Sequence, residues 1–119
     1  MREERGQLMG NQVFSSGVDL WGNVVGNASI DKGGKVYLRG NIYGDLTVYK
    51  GGRAHIYGNV TGRLVVKEGA KVIHSGVVGR DIINEGGRIF IDATGKVLGK
   101  VRTRAGETSI DSKADVQEG

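Results

Sequence analysis

The chain has 119 residues, with 22 glycines, no proline and no cysteine, and a formal net charge of +4 from 17 basic and 13 acidic residues. Glycine this frequent without proline excludes collagen and argues against a disordered linker. The absence of cysteine excludes disulfides and thiolate metal sites, and the small basic excess permits contact with an anionic partner without demanding one.

Residues 1–17 open on the charged run MREERGQLMGNQ, which has no apolar signal-peptide core, and are expected to be a flexible segment. No stretch approaches eighteen apolar residues, so nothing is expected to span or contact a membrane, and a cytoplasmic location is the default. Val18, Leu20 and Trp21 then begin the first regular unit and are candidate contacts at that end of the domain.

From here the sequence repeats itself. Glycines recur at Gly22, Gly40, Gly58 and Gly76, each eighteen apart, with a second series at Gly26, Gly44 and Gly62. Within each eighteen, every sixth residue is aliphatic: Val24, Ile30, Val36, Ile42, Val48, Ala54, Val60, Val66, Val72 and Val78. Period six fits neither a helix nor one long strand, but it fits a coil with three sides of six residues. Local alternation, as in Leu46/Val48 and Leu64/Val66, is that of short strands. The prediction is an all-β, single-stranded triangular β-helix of about five coils over residues 18–110.

Stacking equivalent residues predicts inward ladders: Leu38, Ile56 and His74; Val48 and Val66; Leu46, Leu64 and Ile82. A one-residue deletion is placed near Gly79, with residues 80–84 as an irregular corner and Ile83, Ile89 and Ile91 taking inward places; the next coil is read as gaining a residue, giving Gly95, Gly99 and Gly106. The pattern fades after Val101. Val101 and Ile110 are candidate contacts at the second end, and residues 111–119 read as a flexible tail.

The run G-x-[IV]-x-G-x-L-x-V-x-x-G-[GA]-x-[AV], present from Gly40 to Ala54 and again from Gly58 to Val72, resembles that of the bactofilins, a polymer-forming bacterial cytoskeletal family. The resemblance covers residues 18 to 110. It implies a right-handed β-helix whose subunits join end to end into filaments, without catalytic residues or cofactors. Unlike typical members, this chain lacks proline-rich flanks. Two other readings stay open: a monomeric or dimeric module that binds protein clients, and a left-handed hexapeptide-repeat acyltransferase. The latter needs a positioned histidine, and only His55 and His74 are present. Two histidines do not make a three-histidine metal site.

One outward feature stands out. Tyr37, His55, Ile73 and Phe90 fall at equivalent positions on one face, flanked by Tyr57 and Arg39, and form a candidate lateral contact stripe. Lys96, Lys100, Arg102 and Arg104 are expected on one outer face. They carry no motif for specific nucleic-acid reading.

Overall fold

In an eighteen-residue repeat with inward residues two apart, each strand buries one face only when the next turn lies on it. The computed structural model, which describes residues 1–118, satisfies this with a β-solenoid of about 6 turns and no helix among the described residues. Three stacks of strands run along it, and every pairing is parallel.

The first side stacks β1 (Arg2–Glu4), β4 (Gly17–Leu20), β7 (Lys35–Leu38), β10 (Arg53–Ile56) and β13 (Lys71–His74). The second stacks β2 (Gln7–Met9), β5 (Asn23–Val25), β8 (Asn41–Ile42), β11 (Asn59–Val60) and β14 (Val77–Val78). The third stacks β3 (Gln12–Phe14), β6 (Ala28–Ile30), β9 (Leu46–Val48) and β12 (Leu64–Val66). The long strands β15 (Ile82–Ile91) and β16 (Lys96–Ile110) wrap around the corners and continue more than one stack, and β17 (Asp115–Glu118) pairs onto β16.

The ladders close as predicted through the regular turns. Ala54 faces Val36 and Val72, and Leu64 faces Leu46 and Ile82, all eighteen apart. The core is a column of small aliphatics, with Leu20, Leu38, Ile56, Leu64 and Ile82 fully buried. Each such side chain contributes about 1.5–3 kcal/mol relative to exposure. One corner has no room for a Cβ: at Gly40 it would lie 1.8 Å from the Gly22 carbonyl oxygen, and at Gly58 1.9 Å from that of Gly40. Another corner needs positive φ, at Gly33 (88°), Gly51 (81°) and Gly69 (80°). At the third corner the Asp45 carboxylate accepts from the Arg63 amide at 2.8 Å, and Asn27 Oδ1 accepts from the Asp45 amide at 2.8 Å. Acidic or amide side chains recur there because they supply acceptors that the turned backbone does not.

Several expectations are corrected. Residues 1–17 are not a loose segment: β1, β2 and β3 form a shorter first coil, with Arg2 opposite Val18 and Phe14 opposite Ile30, sixteen residues on. The solenoid therefore has about six turns instead of five. Residues 111–118 continue it through β17; Gly119 lies outside the described residues. The deletion is not near Gly79. Pairing is still eighteen apart at Val66–Asn84 and becomes seventeen at Lys71–Arg88, so the missing residue falls within 85–87. Residues 80–84 are accordingly regular, and Ile83 turns outward while Asn84 takes the inward place below Val66. A second slip follows. Between Ile91 and Lys96 four residues replace the two between His74 and Val77, which makes the next pairing nineteen apart.

Asn84 explains how the shortened turn is tolerated. Its Oδ1 accepts from the Gly86 and Gly87 amides at 3.1 and 2.9 Å. Its Nδ2 donates to the Gly87 and Glu107 carbonyls at 3.1 and 2.9 Å. In the regular corners the equivalent amide donates to a carbonyl three residues earlier in its own turn, as Gly52 does to Tyr49 and Ala70 to Lys67; in the contracted corner the Asn84 side chain takes the place of that carbonyl for Gly87.

Candidate functional site

Alternation on the first side turns Val36 and Leu38 inward and Lys35 and Tyr37 outward, and the parallel register repeats this in each coil. Two outward columns result. One is the expected stripe of Tyr37, His55, Ile73 and Phe90, which face one another in register. Tyr37 and His55 are half-buried, while Ile73 and Phe90 are each 42% exposed. The other is a column of cations, Lys35, Arg53, Lys71 and Arg88, also in register. Sequence inspection missed it. A signal was available, since each of the four follows a small-residue pair: Gly33-Gly34, Gly51-Gly52, Gly69-Ala70 and Gly86-Gly87.

Between the columns runs a groove of about 470 Å³, with Ala54, Val72 and Ile89 at its base and Glu107 and Ser109 at one end. The aromatic wall is buttressed from its far side. The Arg39 guanidinium lies 4.8 Å from the Tyr57 ring and 4.9 Å from the Trp21 ring, and its Nε donates to Asp19 at 2.7 Å. Tyr57 stacks on His55 with ring centroids 4.0 Å apart. Tyr57 and Arg39 thus flank the stripe as expected and restrict its side chains.

His55 is the centre of a polar chain. Its Nδ1 is 3.1 Å from the Tyr57 hydroxyl, its Nε2 is 3.3 Å from Ser75 Oγ, and Ser75 donates to Asp92 at 2.5 Å. Partial burial holds the imidazole below its ordinary value against the opposing pull of Asp92. Asp92 is held low by hydrogen bonds from Ser75 and Thr94. Acyl transfer needs a base oriented by a third group and free to take the nucleophile's proton. Here the carboxylate engages the serine instead of the histidine, so the chain fixes the wall in place. The other histidine, His74, is buried in the ladder as expected, and its Nε2 donates to the Lys96 carbonyl at 3.0 Å.

The remaining candidates are dispersed. Val18, Leu20 and Val101 are buried in the core and cannot serve as end contacts. Trp21 is exposed but sits one coil in from the end, because β1 to β3 precede it. Ile110, partly buried against the core, is the one that stays close to an end. Lys96, Lys100, Arg102 and Arg104 do not share a face, since β16 carries them around two sides. Three of them lie near different carboxylates: Lys96 3.9 Å from Asp115, Arg102 3.9 Å from Asp81 and Arg104 3.6 Å from Glu85. Among the described residues no group of three metal-ligating side chains comes together, and no helix is long and apolar enough to cross a membrane.

Fold and face together define a three-sided parallel β-helix with an amphipathic groove along one side. No family model, curated protein or solved structure gives a significant match to the chain.

Proposed function

We propose that the chain is a structural protein that self-associates end to end through its terminal coils, as a cytoskeletal scaffold of the bactofilin kind. The observation that carries this reading is the pair of open ends. β1 to β3 at one end and β16 to β17 at the other are the outermost rungs of parallel stacks, and among the described residues no helix covers them. An outer rung presents unpaired backbone donors and acceptors, and a second copy is a natural complement. Joining unlike ends continues without closure and yields filaments.

A second reading, the discrete binding module, is favoured by one detail. Arg2 and Glu4 occupy the inward ladder positions opposite Val18 and Leu20 and pair with each other at 3.2 Å. Inward charges at a sheet edge oppose further stacking.

Negative-stain microscopy and sizing with light scattering across concentration separate the two. Filaments or concentration-dependent oligomers are expected for the scaffold. A sharp monomer peak at every concentration would sink it. Arg2→Val with Glu4→Val removes the inward charges and is expected to increase association.

A further inference from the structure

We propose that the groove on the first side binds single-stranded nucleic acid without sequence preference, the phosphates lying along Lys35, Arg53, Lys71 and Arg88 and the bases against Tyr37, Ile73 and Phe90. This goes beyond self-assembly and does not rest on it.

The cationic column is the starting point. Its members stack directly on one another at about 4.8 Å per rung, so like charges lie side by side over about 14 Å. Like charges directly opposite one another in a sheet are destabilising. Elsewhere the solenoid places opposite charges on neighbouring rungs, as in Lys67–Glu85 at 2.7 Å. Among the described residues the one carboxylate paired with this column is Glu107, 4.0 Å from Arg88 at the far end. A row of cations kept together without interleaved acids is complementary to a linear polyanion.

The second wall chooses among polyanions. It offers aromatic and apolar faces at Tyr37, Ile73 and Phe90, with His55 as its polar member, and Tyr57 and Arg39 brace it from behind. A base has an apolar face and stacks on such a wall, and a charged groove beside a stacking platform is the general arrangement for single strands. An acidic polysaccharide would bring hydroxyls against Val72, Ile73, Ile89 and Phe90, which offer no side-chain partners, and unpaired hydroxyls oppose binding. An acidic peptide would find the backbone of this side already committed to the ladder. A duplex hides its base faces in its own stack and has nothing to place on the wall. A bilayer surface is too broad to enter a groove with the columns at its rims.

Fluorescence anisotropy of a labelled oligodeoxythymidine with the full chain tests this. With four phosphate contacts, log K against log salt is expected to fall with a slope of about −2.8, a loss of about fiftyfold between 50 and 200 mM salt. Lys71→Gln with Arg88→Gln is expected to halve that slope, and Phe90→Ala to weaken binding about tenfold at constant slope. Arg63→Gln with Arg80→Gln removes the same charge at the opposite corner and should change neither slope nor Phe90 dependence. Circular dichroism establishes that each variant is folded. Equal losses in both double variants would reduce the effect to net charge and overturn the proposal. Tighter binding of duplex DNA, of a sulfated glycan or of polyglutamate than of the oligonucleotide would overturn the assignment of the ligand, and no binding at low salt would overturn the site.

Discussion

The regular turns between Gly17 and Val78 and the slipped turns beyond them stack on the same three sides, yet they fill the core differently. In the regular turns the inward positions before His74 are aliphatic from rung to rung, and glycine sits on glycine at one corner. The two buried polar residues among those described, His74 and Asn84, both lie at slips. Asn84 stands where the coil loses a residue. His74 lies beside the corner that gains two, and its ring reaches the Lys96 carbonyl just beyond. A solenoid absorbs an insertion or deletion at a corner only if the backbone groups it displaces find new partners. Here a buried side chain supplies them.

The comparison can be broken most severely in the regular turns. Gly58→Ala puts a methyl group against the Gly40 carbonyl and is expected to cost about 3 kcal/mol or more, read as a lower urea midpoint. Gly6→Ala is its control. It occupies the same corner in the first coil, where a Cβ would meet nothing within 4 Å, and should leave the midpoint unchanged or raise it slightly.

Next in size is Asn84→Val, which restores the aliphatic ladder of Val48 and Val66 but strands the Gly86 and Gly87 amides. A loss of about 2–4 kcal/mol is expected, although the sequence becomes more regular. A gain in stability would refute the role assigned to Asn84.

His74 gives a smaller effect with a distinct signature. Burial lowers its pKa below the ordinary 6.5, against the opposing hydrogen bond to the Lys96 carbonyl, and its Nδ1 has no partner. Below pH 6.5 the unfolded chain takes up a proton that the native chain refuses. Stability is therefore full above that pH and declines as pH falls through the window beneath it, by at most about 1.4 kcal/mol per unit for this group. His74→Leu should match the Leu38 and Ile56 ladder and flatten this dependence, measured as urea midpoints from pH 5 to 8. At pH 8 it takes the donor from the Lys96 carbonyl, a loss of about 1–3 kcal/mol that the better-matched core offsets in part. Lys67→Gln, which breaks an exposed pair between the last regular coil and the first slipped one, should have the smallest effect, with a midpoint close to that of the unaltered chain.

Much of this architecture was legible in residue order. Glycines at intervals of eighteen and aliphatics at intervals of six determined by themselves that the chain coils, that each coil has three sides, and that Tyr37, His55, Ile73 and Phe90 share a face. These follow from the period, with one deletion allowed before Phe90, because parallel stacking converts a sequence interval into a spatial column. Tertiary structure decided the rest. The first coil was illegible because Arg2 and Glu4 occupy inward ladder places, where a pattern of aliphatics gives no warning of charge. The site of the first slip was illegible because Ile82 and Ile83 are both aliphatic, and only pairing shows which one faces the core; the gain in the coil after it was legible, but its size, two residues at the corner, was not. The groove needed both kinds of information. Three rungs of each wall follow from the eighteen-residue repeat, and the seventeen-residue step completes both, bringing Arg88 under Lys71 and Phe90 under Ile73.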